Sequence, residues 1–226
     1  MKDPTSRPVV IFGAGELAQL AHYYFTHDST RQVAGFTVDA KYIDAPDYLG
    51  LPLVPSESLE SSFPPERYDM FVAIGYNGLN SVRAKKCGEV VSRGYRLATY
   101  ISSRASVWSD LKIGENCLIM EGNVIQPFVK IGHGVIMFCS SVISHHVEIG
   151  DYCFIGAEAS LSGGVKVGAN TFIGVNATIR EHLIVGRDCI IGAGTLIMKN
   201  TVDGSGYLVA GTSDSGIPSR RLRSLL

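Results

Sequence analysis

The chain has little net charge, no long apolar run and no cysteine cluster, and each shortage removes a class of protein. Twenty Lys and Arg against 21 Asp and Glu leave a formal charge of −1 over 226 residues. That balance gives nucleic acid no electrostatic footprint, and no basic run marks a membrane surface. Only Arg220, Arg221 and Arg223 are locally basic. No apolar stretch approaches the roughly 20 residues that cross a bilayer. The opening residues, Met1 to Pro8, lack the apolar core of a signal peptide, so a cytoplasmic protein is expected. The cysteines have no metal-type spacing: Cys117, Cys153 and Cys189 are 36 residues apart and read as small core residues, so no metal is expected.

A helical stripe is missing from the second half, and a different rhythm replaces it. From residue 101 to 202 a large aliphatic residue returns every sixth position: Ile101, Val107, Ile113, Ile119, Ile125, Ile131, Met137, Ile143, Ile149, Ile155, Leu161, Val167, Ile173, Ile179, Val185, Ile191, Ile197. All but Met137 and Leu161 are β-branched, which favours extended backbone. A period of six fits neither 3.6 nor 2.0, so the apolar set closes only if the chain coils. Glycine sets the lap. Gly114, Gly132, Gly150, Gly168 and Gly186 recur every 18 residues, and Gly156, Gly174 and Gly192 keep the same interval. Three hexads therefore make one turn of a three-sided column, on the order of 27 Å tall at about 4.8 Å per lap. The third side carries Trp108, Gln126, Ser144, Ser162, Arg180 and Met198 where the others carry glycine. Small residues such as Cys117, Ser141, Ala159 and Thr171 fall at the second inward position and fill the narrow interior.

The first hundred residues read differently. Val9–Phe12 is a short strand, Gly13-Ala14-Gly15-Glu16-Leu17-Ala18 a G-x-G-x-x-A turn, and a helix runs on to about Phe25. Such a turn lets backbone N–H groups approach a phosphate at a helix N-terminus. A turn that serves packing alone is the alternative. A second strand, Val33 to Val38, ends at Asp39, placed to bond a ribose or base. Leu51 to Pro55 and Phe63 to Pro65 read as surface connections with a short helix between them. Tyr68 to Gly75 reads as a buried strand, followed by Tyr76-Asn77-Gly78 and a helix through about Ser92. In a parallel sheet this puts Gly13, Ala14, Gly15, Asp39, Tyr76 and Asn77 on one rim. There is room for only half of a dinucleotide fold, which suits a mononucleotide better than NAD. The expected division is a Rossmann-like domain over 1–100 and the column with its tail over 101–226.

The repeat resembles the hexapeptide-repeat acyltransferases, whose column is a left-handed parallel β-helix. That handedness is implied by the resemblance; the rule for parallel crossovers predicts the opposite. The run Val72-Ala73-Ile74-Gly75-Tyr76-Asn77 resembles the Ala-Ile-Gly-x-Asn turn of the sugar N/O-acetyltransferases of the sialic acid O-acetyltransferase and bacillosamine-pathway type. Those enzymes join a small Rossmann-like, nucleotide-sugar-binding domain to a left-handed β-helix. The resemblance implies acetyl-CoA as co-substrate, a nucleotide-sugar acceptor and a homotrimer with coenzyme A lying between subunits.

His145 and His146 stand side by side on the edge without glycine, so at least one ring points outward. The family segment Ser-x-Val-x-x-His-(Asp/Glu)-x-x-Ile-Gly maps its general base onto His145, and His146 takes the place of the orienting acid. Matching positions for coenzyme A are Gly163, Gly174, Val175, Gly192, Ala193 and Lys199, although Gly163-Gly164 can also serve the turn alone. Two departures bear on the acyl pocket. Phe154 stands where relatives have a second histidine that contacts the acetyl carbonyl, and the tail reads Gly216-Ile217-Pro218-Ser219-Arg220 in place of Gly-x-Pro-Ala-Lys. Arg180, Glu181 and His182 read as solvated corner residues. The expected activity is direct acetyl or short-acyl transfer from coenzyme A to an amino group of a nucleotide-linked amino deoxysugar. Sugar O-acetylation and a non-catalytic nucleotide-binding trimer are the alternatives. A metal hydratase on such a column needs a histidine spacing that His133, His145, His146 and His182 do not reproduce.

Overall fold

The computed structural model describes residues 7–214 and residue 217. The basic residues Arg220, Arg221 and Arg223, and the tail motif apart from Ile217, lie outside the described residues.

Two largely apolar strands form the centre of an α/β unit, β1 (Val9–Phe12) and β2 (Val33–Val38), with α1 (Glu16–His27) between them. β3 (Asp47–Tyr48), β4 (Leu51–Pro55), α2 (Leu59–Ser62), β5 (Asp69–Val72) and α3 (Ser81–Ser92) follow. The sheet order is β3-β4-β2-β1-β5, and only the β3–β4 pair is antiparallel.

Leu51–Pro55 is a strand and not a surface connection. It pairs with β2 through Phe36 and Leu53, Thr37 and Val54, and Val38 and Pro55. Its prolines hide it. β3 pairs only with Leu51 and Pro52, which leaves the end of β4 at Pro55 an edge on that side, where a missing N–H is tolerated.

The column is built as its period requires. Each hexad contributes a two-residue strand that pairs in parallel with the strand 18 residues on, as Val124 with Val142 and Ile125 with Ile143. Three sheets result. The first face holds the strands at 106–107, 124–125, 142–143, 160–161, 178–179 and 196–197, and the second those at 112–113 through 184–185. The third runs from Tyr100–Ile101 to Gly206–Tyr207, so the column opens one residue before the hexad series and outlasts it. Its last lap is shorter, with Ile190 opposite Gly206. The aliphatic series from Ile119 to Ile197 forms one buried cluster along the axis, with Cys117, Cys153 and Cys189 fully buried in it. Gly150 shows why glycine follows the aliphatic residue: a Cβ there would stand 2.7 Å from the backbone nitrogen of Ala169 on the next lap.

The corner of the hexad has its own rule. From Asn116 to Gly194 the fourth residue of every hexad has φ between +54° and +72°. Glycine and asparagine suit that left-handed conformation; Phe128, His146, Tyr152, Glu158 and His182 adopt it at a cost of roughly 1–2 kcal/mol each. The stacked neighbours of the lap above and below hold them there.

The third face packs on the α/β unit. Leu118, Met120, Ile136 and Phe154 share one core with Val9, Ile11, Phe71, Ala98 and Tyr100. The joint is also polar and fully matched. Asn116 closes on β5 like a strand, accepting from Val72 N at 2.7 Å and donating to Val72 O at 3.2 Å. Asp28 accepts from Tyr100 Oη at 2.5 Å, Ser102 Oγ at 2.9 Å, Ser103 N at 3.0 Å and the Ser103 hydroxyl. Arg83 is wholly buried, and its guanidinium donates to Ile74 O, Gly75 O, Gly134 O, Tyr152 O, Cys153 O and Asn80 Oδ1. All six acceptors are neutral. Burial pushes the Arg83 guanidinium down to about 10, which leaves it charged at neutral pH.

Candidate active site

The glycine turn, Asp39 and Asn77 meet as the parallel-sheet rule requires. Gly13, Ala14, Gly15, Val38, Asp39, Ile74 and Asn77 line a cavity of about 640 Å³ at the carboxyl ends of β1, β2 and β5. Gly13 has φ +130° and a Cβ there would stand 3.0 Å from Ala73 O, so only glycine fits. Among the described residues no acceptor takes the N–H groups of Ala14, Gly15, Glu16 or Leu17, and they open the twelve-residue α1 as a set of anion donors. Asp39 accepts from Ser56 Oγ at 2.9 Å and Lys86 Nζ at 3.1 Å. Burial pushes its carboxyl up, but those two bonds outweigh it and hold the group below its usual value. Lys86 was not foreseen. It lies on α3, far from the motif in sequence, and reaches the cavity over the Phe12 ring at 4.8 Å.

Tyr76 lines the next cavity. About 400 Å³ is enclosed by Glu16, Leu17, Tyr76, Phe138, Phe154, Phe172 and Val175, among others. Phe154 stacks on Phe172 at 5.4 Å, and the Tyr76 ring meets both edge-on at 5.0 and 5.1 Å. Phe154, at the position where relatives have a second histidine, is thus the floor of an aromatic box.

His145 and His146 are both exposed on the edge between the first and second faces. The His145 N–H donates to Gln126 Oε1 at 2.9 Å, and His146 rests on the Phe128 ring at 4.7 Å between centroids. The two Nδ1 atoms are 3.2 Å apart, so one donates and the other accepts. Whichever way that proton lies, His145 Nε2 is left to face Gly163. A Cβ at Gly163 would stand 2.8 Å from that nitrogen and 2.6 Å from Cε1, so the bare residue is what admits the ring. Among the described residues nothing accepts the N–H of Gly163. An imidazole nitrogen and a free amide donor therefore share one notch.

The six coenzyme positions do not converge within one chain. Gly163 and Lys199 lie on the edge of the histidines. Gly174, Val175, Gly192 and Ala193 lie on the edge between the third and first faces, where the N–H groups of Val175 and Ala193 are also without an acceptor among the described residues. The first face separates the two edges. Its outward residues, Ser106, Val124, Val142, Ser160, Thr178 and Leu196, are uncharged, and Val124, Val142 and Leu196 are exposed. The histidine edge is also opposite the third face, to which the α/β unit of the same chain is bound.

Family models agree with this build. The bacterial transferase hexapeptide model, six repeats, matches residues 164–199, and the hexapeptide repeat of succinyl-transferase matches residues 146–170. Nearly the whole chain also superposes on solved structures. The acetyltransferase domain of PglB from Neisseria gonorrhoeae FA1090, in complex with acetyl coenzyme A, aligns at 24% identity over 89% of this chain and 95% of that one, with a TM-score of 0.79. PerB from Caulobacter crescentus, in complex with CoA and GDP-perosamine, aligns at 29% identity over 87% and 91%, with a TM-score of 0.78. The chain carries the hexapeptide repeat and shares the two-part architecture of these solved structures. Its column is accordingly the left-handed parallel β-helix. WeeI from Acinetobacter baumannii AYE shares the fold at 20% identity, covering 89% of this chain and 96% of its own, with a TM-score of 0.73. A search of curated proteins returned no match. Among the described residues of this hexapeptide-repeat protein, no three His, Cys, Asp or Glu side chains are grouped to hold a metal ion. No helix among them is long and apolar enough to cross a membrane.

Proposed function

We propose that this protein transfers an acetyl or short acyl group from coenzyme A to the amino group of a nucleotide-linked amino deoxysugar. The observation that carries the proposal is the notch in which the His145 ring lies against Gly163, whose N–H has no acceptor among the described residues. The amine attacks the thioester carbonyl, forming C–N. His145 takes the proton the amine sheds, a service usually contributing about 10²–10⁴-fold. The carbonyl oxygen gathers negative charge opposite the Gly163 amide, and C–S then breaks to release the coenzyme thiolate. His146 orients the base in place of a carboxylate, accepting the His145 Nδ1 proton and leaving Nε2 open. Transfer is direct. Burial pushes the Cys117 and Cys153 thiols up to about 12, so neither is a ready nucleophile.

The nucleotide occupies the cavity of Gly13, Ala14, Gly15, Asp39 and Asn77, with its phosphates on the α1 amides and the sugar in the aromatic box beside Tyr76. PerB was solved with CoA and GDP-perosamine, which supports this class of acceptor. The site is complete only in an oligomer. Two edges that both carry unpaired amides flank one uncharged face, so a homotrimer closed about that face sets the histidine edge of one protomer against Val175 and Ala193 of the next. Coenzyme A then lies in the seam. Residues 1–100 and 101–226 serve as the acceptor-binding and transfer domains.

A thermal-shift panel of UDP-, dTDP-, GDP- and CMP-linked amino sugars, each with and without acetyl-CoA, tests the reading. One nucleotide should stabilise the protein, with a further shift from acetyl-CoA. No shift from any nucleotide or from acetyl-CoA would remove it.

A further inference from the structure

The notch has an upper wall as well as a lower one. Gly163 and Gly164 are adjacent, yet each faces a different imidazole. A Cβ at Gly163 would run into the His145 ring from the lap below, and a Cβ at Gly164 would stand 2.5 Å from Nδ1 and 2.9 Å from Cε1 of His182 on the lap above. Main-chain bonds tie the three laps together at this point, from Gly164 N to His145 O and from His182 N to Gly163 O, both 2.9 Å. His182 is exposed, and among the described residues neither of its ring nitrogens has a hydrogen-bond partner. It also adopts φ +57°, where asparagine or glycine would sit with less strain. The corner φ is common to every hexad, and Tyr152 likewise sits over a corner glycine, Gly134; what sets His182 apart is an unpartnered imidazole beside the glycine pair that also meets His145.

We propose that His182 is a second catalytic imidazole, donating a ring N–H to the carbonyl oxygen of the acyl thioester, with the Gly163 N–H as the other donor. The inference rests on the reading of this notch as the acyl-transfer site. As C–N forms, the carbonyl π pair moves onto oxygen, and two N–H donors meet that charge with no proton transfer of their own. When C–S breaks, the pair returns and the thiolate departs. Phe154 cannot donate to that oxygen. His182 supplies, from the same edge as His145, the contact that the resemblance expects from position 154.

Steady-state kinetics of His182→Ala and His182→Gln beside His145→Ala test the assignment, with melting temperatures recorded to confirm folding. His182→Ala should lower kcat about 100-fold, the usual cost of one oxyanion donor, with the KM for acetyl-CoA within about twofold of the parent. His182→Gln keeps an N–H donor and should recover part of the loss. An unchanged kcat with a raised KM would make the ring a coenzyme contact only and overturn the proposal. Full activity of His182→Ala beside an inactive His145→Ala would sink this inference alone. Full activity of His145→Ala would remove the site reading itself, and this inference with it.

Discussion

The Nδ1 atoms of His145 and His146 stand 3.2 Å apart, a pairing in which one imidazole must give a proton and the other must receive it. A carboxylate in the place of His146 would fix the direction by charge. A neutral ring does not fix it by charge, and the bond forms with the proton on either Nδ1.

The pairing makes His146 a positioning residue with a distinctive signature. His146→Asn and His146→Asp supply an oxygen acceptor and suit the φ of +60° better than histidine, so both should keep activity and fold at least as stably. His146→Leu offers no acceptor and should lower kcat about tenfold or more, a typical cost for an outer partner of a working histidine. Equal rates for the Leu and Asn variants would rule the role out.

Arg83 joins α3 to the column through Gly134 O, Tyr152 O and Cys153 O, and to its own unit through Ile74 O, Gly75 O and Asn80 Oδ1. Arg83→Leu should cost on the order of 3 kcal/mol, because several buried carbonyls lose their donor at once. Urea unfolding followed by circular dichroism measures it. A change under about 0.5 kcal/mol would mean the joint holds by apolar packing alone.

Asp28 predicts a pH dependence for the same joint. Burial raises its carboxyl, but the bonds from Ser103, Tyr100 and Ser102 outweigh that and hold it at about 2. A folded value below the unfolded one contributes stability that is present above the unfolded pKa and is lost as pH falls through the folded one. Wild-type melting temperature should therefore decline between about pH 4 and pH 2, and Asp28→Asn should be less stable at pH 7 with a shallower acid decline. Parallel pH–melting curves for the two proteins would refute it.

Most of the column was legible because its inward positions are chemically monotonous: the aliphatic series and the glycine interval fix the lap without reference to structure. The left-handed corner was not legible. Its occupants range from Gly122 and Asn170 to Phe128, His146 and Glu158, so composition hides a conformation imposed by the stacking of laps. β4 was hidden by Pro52 and Pro55, which mark turns unless a strand is nearly an edge. The split between the two edges was available from arithmetic. His145 and Gly163 differ by 18, as do Val175 and Ala193, but Gly163 and Val175 differ by 12, which places them two corners apart. Lys86 and the aromatic box around Tyr76 depend on α3 and α1 meeting the sheet and the column, and no local pattern encodes that.

The most direct test is the turnover of His145→Ala with acetyl-CoA and whichever nucleotide amino sugar stabilises the protein. The account predicts a kcat lowered by about 10²–10⁴-fold, the usual worth of a general base, with acetyl-CoA affinity unchanged by calorimetry. Near-wild-type turnover in that variant would contradict it.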